Sequence, residues 1–161
     1  MNTKFSEIYG IFFNSIVKDE DFFTYAGLTD DEAMNLATER AKSLLMSAIA
    51  RVMNSCVPDV DFYDYNLESE EFNFKCTDIE KNLFAEIMRE RLLRQEEMKL
   101  KPMHGYFNTK DLKIFSPAKE RETFASMLNS TFTRNETEIS NYIAKDRITG
   151  NYKILKFDHE E

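Results

Sequence analysis

Thr29-Asp30-Asp31-Glu32, followed by AMNLATERAKSLLMSAIARVMN to residue 54, decides the fold. Its first four residues form a capping box. The Thr29 hydroxyl is placed to accept from the backbone N–H of Glu32, whose carboxylate reaches back to the N–H of Thr29. Three acidic side chains sit where the helix dipole favours negative charge. Beyond them Ala33, Leu36, Ala37, Ala41, Leu44, Leu45, Ala48, Ile49 and Val52 recur at helical spacing. This predicts one long helix whose alanines let a neighbouring helix approach closely, ending before Pro58.

Working outward, the same signals recur. Thr77-Asp78-Ile79-Glu80 is a second capping box, and it opens a helix running to about Lys99. Ile79, Leu83, Ile87, Leu92 and Leu93 mark its inner face, beside Phe84 and Met88. Its far end is rich in Arg89, Arg91, Arg94, Glu96 and Glu97, a pattern of a solvated or partner-facing helix end. Toward the amino terminus, Phe5, Ile8, Tyr9, Phe12 and Ile16 share one helical face from about Thr3 to Val17. A short helical turn with Phe22, Phe23 and Tyr25 follows, and Gly27 breaks it. Toward the carboxyl terminus, Ser116-Pro117 sets an N-cap and a first helical residue. Phe124, Met127, Leu128 and Phe132 mark an inner face there. That helix either continues past Thr133 or breaks and restarts near Asn135, and Ile139, Tyr142 and Ile143 carry the pattern on.

Three stretches escape the helical period. Residues 59–76 read as an aromatic, acidic connector, in which Phe72 and Phe74 alternate with polar neighbours as in a short strand. Residues 100–115 read as a loop or arm. Residues 146–161 read as an extended tail after a turn at Thr149-Gly150-Asn151. The expected fold is mainly α: a single domain over residues 1–161, a bundle of four to five helices with a long arm and a carboxyl-terminal extended segment or hairpin. Only 4 Gly and 3 Pro in 161 residues agree, because an all-β chain needs many more tight turns.

Composition narrows the function classes. Hydrophobic residues make up 42% and aromatics 13%, too many for a disordered chain. No apolar run approaches the ~20 residues of a membrane helix, and the first residues lack the pattern of a secretion signal. The net charge of −8 lies wholly in residues 1–76, where 14 acidic residues face 6 basic ones; residues 77–161 are balanced. Such a balance disfavours general nucleic-acid binding, which runs on counterion release by Lys and Arg. It suits a polarised surface that meets another protein.

The chemical motifs fail one by one. His104 and His159 are the only histidines, one in a Pro/Gly loop and one at the extreme end, so neither is offered as a catalytic base. Cys56 and Cys76 read as reduced, inert thiols rather than a metal pair. Asp59, Asp61 and Asp64 miss the calcium-loop pattern, since Tyr63 and Asp64 occupy its fifth and sixth positions. The four glycines never cluster into a phosphate loop. The expectation is no enzyme, no cofactor and no metal.

Taken in order, several weak motifs form a familiar series. Phe5, Tyr9, Phe12 and Ile16 precede Asp19-Glu20-Asp21-Phe22. The segment Leu44-Leu45-x-x-Ala48-Ile49 and the Asp61-Phe62 connector come next. Thr77-Asp78-Ile79-Glu80 leads to Met88-x-x-x-Leu92-x-x-Gln95, and Asp111-Leu112-Lys113-Ile114-Phe115-Ser116-Pro117-Ala118 opens the last helix. Over about residues 5–145 this resembles the neck, or head–tail connector (adaptor), proteins of tailed bacteriophages of Gram-positive hosts. The resemblance implies a virion structural protein, assembled in the host cytoplasm. Copies would form a ring that links portal to tail or to a second neck protein, near the DNA in the conduit and away from any membrane. Met103, Tyr106, Phe107, Lys110, Lys113 and Ile114 in the arm, with Arg89, Arg91 and Arg94, are the expected protein interface, read from the residues rather than carried over from a family site. The rival expectation is an acidic regulator that binds one host or phage protein through its negative first half.

Overall fold

The computed structural model describes residues 2–16, 27–100 and 117–153, with the side chains of 96–100 and 117–121 left aside. The chain is mainly helical, with a small antiparallel sheet at one end. In chain order the elements are β1 (Thr3–Lys4), α1 (Phe5–Ile16), α2 (Asp30–Ser55), β2 (Tyr65–Asn66), β3 (Glu71–Phe72), α3 (Asp78–Leu100) and α4 (Pro117–Ala144). Both halves of the first capping box form. The N–H of Glu32 donates to Thr29 Oγ1 at 3.4 Å, and the N–H of Thr29 donates to Glu32 Oε2 at 3.0 Å. The second box closes the same way, with Thr77 N–H donating to Glu80 Oε2 at 2.7 Å.

Helix α3 is the axis of the molecule, with α1, α2 and α4 all packed against it. Side-chain pairs fix the directions. Arg40 meets Gln95 and Arg51 meets Glu90, so α2 runs antiparallel to α3. Asn135 meets Glu90 and Tyr142 meets Glu80, so α4 does too.

The connector is more regular than its sequence suggests, because it supplies two of the three strands. Strand order is β1–β3–β2; Phe72 pairs with Thr3 on one side and Tyr65 on the other. The first residues therefore add a strand before the helix begins at Phe5. The backbone turns back through an Asn66 side chain that accepts from the N–H groups of Glu68 and Ser69, and Glu70 sits at φ 51. Strand β3 delivers Phe72, and the turn before β2 delivers Phe62, into the core against Phe5 and Phe84, with ring centroids 5.1 Å apart for Phe5–Phe72 and 4.9 Å for Phe62–Phe84. These four rings are fully buried.

The predicted faces hold for α1 and for most of α2. Four positions differ. Leu36 is exposed, because the first turns of α2 lie beyond the described body, and Ala37 is the first buried residue of that helix. Ile79 is 59% exposed, since its turn starts α3 before any described neighbour covers it. Met127 and Phe132 are exposed because the buried face of α4 runs through Leu128, Asn135, Ile139 and Tyr142 and these two lie beside it. Helix α4 itself is continuous through Thr133. After it, Lys145 and Tyr152 form an isolated bridge across the turn that Asp146 closes by accepting from the N–H groups of Ile148 and Thr149. The short turn at residues 19–25, the arm at 101–115, His104, the Ser116 cap and the tail beyond Lys153 lie outside the described residues, whereas Leu100 belongs to α3.

Candidate functional site

The α3–α4 seam gathers the unusual chemistry of the molecule. Glu80 and Glu90 of α3 are buried, at 0% and 1% exposure, where a carboxylate survives only when its oxygens are satisfied. Around Glu90 three elements converge. Arg51 reaches it from α2, Arg94 Nε donates to its Oε1 at 2.8 Å, and Asn135 Nδ2 of α4 donates to its Oε2 at 2.8 Å. Arg51 also bonds Glu136 of α4 at 2.5 Å. Burial alone would push the Glu90 carboxyl up, but the bonds from Arg51, Asn135 and Arg94 outweigh it and hold it below the usual range. Phe132 covers this cluster, with the Arg51 and Arg94 guanidinium carbons 4.7 and 4.9 Å from its ring centroid.

Glu80 organises the other end. It accepts from Thr77 N–H as the capping-box carboxylate, from the Tyr142 hydroxyl at 2.7 Å, and from Arg147 Nε at 2.6 Å. Arg147 also donates to the carbonyl of Lys75 at 2.5 Å, tying the segment after α4 to the chain entering α3. Burial first, and then the bond to Glu80, push the Tyr142 phenol up. Burial raises the nearby Cys76 thiol to about 12, so it stays protonated and unreactive at neutral pH. Both cysteines are free.

Between these two clusters lies an open groove of about 390 Å³. Ile79, Leu83 and Tyr142 give it an apolar floor, and Asn82, Glu86, Arg134 and Glu138 give it a polar rim. Arg134 is paired with Glu86. Nothing among the described residues pairs with the Glu138 carboxylate.

Of the residues singled out from sequence, Arg94 is drawn into the Glu90 cluster, and Arg89 lies 3.8 Å from Glu86 on the same helix. Arg91 has its Nε buried without an acceptor, and the three arginines do not converge on one point. Met103, Tyr106, Phe107, Lys110, Lys113 and Ile114 lie outside the described residues. Sequence reading missed the two glutamates. Glu80 carried one signal, its place in the capping box, but a cap does not announce a second partner 62 residues away. Glu90 sits in a charge-rich run that reads as solvated. Among the described residues no group of three or more His, Cys, Asp or Glu converges as a metal site, and no helix is long and apolar enough to cross a membrane.

The seam's chemistry is that of a fastener. Both buried carboxylates commit their oxygens to donors of the same chain, and this fixes where α4 sits along α3. In comparisons with family models, with curated proteins and with solved structures, nothing matches this chain.

Proposed function

We propose that this chain is a head–tail connector of a tailed bacteriophage, a virion component that assembles with copies of itself in a ring between portal and tail. The observation that carries the reading is a set of exposed apolar side chains on α3 and α4: Ile79 at 59% at the start of α3, and Met127 at 41% and Phe132 at 39% on α4. Apolar side chains left in water become favourable contacts when a partner covers them. A ring uses heterologous contacts, in which one face of a copy meets a different face of the next. The acidic first half and balanced second half of the sequence give the chain the uneven charge that such unlike faces require. Copies of itself, portal, and the tail or a second neck protein are the proposed partners, with DNA passing nearby in the conduit.

The test is mass measurement by light scattering on the full chain, alone across concentration and then with purified portal. The expected result is a monomer or weak associate that closes into a ring at high concentration or on portal. No association in any of these conditions overturns the proposal. A simple complex with one basic host protein, in place of a ring, identifies the chain as an acidic regulator.

A further inference from the structure

Asn135 lies in the middle of the α3–α4 seam at 0% exposure. Its Nδ2 donates to Glu90 Oε2 at 2.8 Å and reaches the carbonyl of Glu86 at 3.4 Å. Its Oδ1 is buried and has no donor among the described residues. Turning the amide over would aim that oxygen at the Glu90 carboxylate, so the orientation is fixed. A buried acceptor without a donor costs stability. The acceptors of Nδ2 have other partners. Arg51 donates to Glu90 Oε2 and Arg94 to Oε1, and the Glu86 carbonyl lies inside α3, where the helix's own bond occupies it.

The pattern around Asn135 gives that cost a purpose. Leu128, Phe132, Asn135, Ile139 and Tyr142 follow one another at alternating intervals of four and three, the heptad spacing of helices packed side by side. Such a repeat fits itself again after a slide of seven residues, about 10 Å at 1.5 Å per residue. Moved that far toward the end of α3, α4 would bring Tyr142 to the Asn135 position, with its hydroxyl near Glu90 in place of Glu80. Glu80, uncovered, would become an exposed capping-box carboxylate, as Glu32 is at the start of α2. Apolar burial does not forbid the slide. Asn135 does, because it would take the place of the buried Leu128 and its amide would lose the bonds it makes with Glu90 and Glu86.

We propose that Asn135 is a register pin, held in the seam at a cost in stability, which makes α4 seat on α3 in a single register. That register decides where Met127 and Phe132 of α4 stand relative to Ile79 of α3. The pin rests on the seam alone; its use in presenting those side chains to a partner rests on the assembly reading.

The test is Asn135→Leu in the full chain, by urea unfolding and nuclear magnetic resonance. The urea midpoint is expected to rise. A second set of α4 amide peaks is expected beside the first, with the peaks of α1 and of the sheet unsplit. Cross-peaks between the Phe132 ring and the Arg94 side chain, whose guanidinium carbon lies 4.9 Å from the ring centroid, mark the present register and are expected to be missing from the second set. Asn135→Met, unbranched and able to fill an irregular site, repeats the test if the shape of leucine prevents folding. A lower midpoint in the folded variants overturns the proposal, because the amide then adds stability. So does a single set of α4 peaks that keeps the Phe132–Arg94 contact. Light scattering with portal is read separately, and a wild-type chain that never assembles removes the assembly reading while the spectra still decide the pin.

Discussion

The two sides of α3 are built on different physics. Toward α1, α2 and the sheet it presents Phe84, Ile87, Met88 and Leu92, all fully buried among aromatic and aliphatic neighbours. Toward α4 it presents Glu80, Glu86 and Glu90 around the buried Leu83, each glutamate bonded to a cation, that of Glu90 reaching in from α2 as Arg51. Burial of apolar surface is non-directional and tolerates sliding. A buried carboxylate bonded to Arg51, Arg94 and Asn135 does not, because a shift of one turn leaves a charge without donors. The contrast assigns stability mainly to one side of the axis and helix register mainly to the other.

The sharpest way to break this contrast is to remove a ring from the apolar side. Phe72 is the central residue of the sheet and touches Phe5, Tyr65, Phe74 and Phe84. Phe72→Ala is expected to cost about 4 kcal/mol of global stability, from lost transfer energy and the cavity left behind. Denaturant unfolding followed by circular dichroism measures it. A loss below about 1 kcal/mol would mean that the aromatic cluster is not the centre of the core.

On the polar side the corresponding change is Arg51→Ala. It strips Glu90 and Glu136 of a shared cation and leaves one carboxylate buried with Arg94 and Asn135 alone. The expected cost is about 3 kcal/mol, most of it the penalty of an under-compensated charge. The expected pattern differs from that of Phe72→Ala. Hydrogen exchange should quicken first in α4, with α1 and the sheet keeping their protection. Uniform loss of protection would erase the proposed division of labour.

Glu90→Gln sharpens the same point through pH and costs about 2 kcal/mol near neutrality, the worth of its charged hydrogen bonds. The carboxyl of folded Glu90 is held below its ordinary range despite burial, by Arg51 from α2, Asn135 from α4 and Arg94 from α3 itself; Glu136 faces the same Arg51. Its stabilisation is therefore complete above the unfolded value of about 4.3 and is lost as pH falls through the lower folded value. The wild-type chain should lose stability over that acid window more steeply than Glu90→Gln, by urea midpoints across pH. Parallel curves would remove Glu90 from the account.

How much of this was legible in the sequence follows from the same contrast. The apolar side obeys periodicity, so Phe5, Ile8, Phe12, Leu44, Leu45 and Ile49 are placed correctly from spacing alone. The capping boxes at Thr29 and Thr77 are local and equally readable. Periodicity fails where burial is polar. On α4 spacing places Leu128, Ile139 and Tyr142 correctly, but the buried Asn135 carries no such signal and Phe132 serves as a cover over two guanidiniums. Long-range partners of a charged residue leave no trace in its neighbours, so Glu80 and Glu90 read as solvated until the helices are brought together. The sheet was half visible, since strands of two residues carry almost no alternation.

A smaller effect compares the two caps. Thr29→Ala removes an exposed box at the start of α2 and is expected to cost about 1 kcal/mol, read from thermal unfolding. Thr77→Ala is expected to cost more. Its carboxylate partner Glu80 also holds Tyr142 and Arg147, so loosening the cap disturbs the bonds between α3 and the end of α4. Equal costs would mean that the Glu80 cluster tolerates movement of the cap.

The smallest expected effect is on the groove floor, where contact and stability separate. Ile79 is 59% exposed on the first turn of α3, so little of its side chain is buried in the body. Ile79→Asp gives up a partial contact with Leu83, one turn on, and places a negative charge where the amino-terminal end of the helix dipole favours it. The two terms are of similar size and opposite sign, so stability should change by no more than about 0.5 kcal/mol. Assembly should suffer far more, because a charge in the middle of an apolar contact must be desolvated when a partner arrives. Light scattering and denaturant unfolding on the same sample decide the matter. An unfolding midpoint that drops steeply would make Ile79 a core residue after all, and unchanged assembly at unchanged stability would move the contact surface off the α3–α4 face.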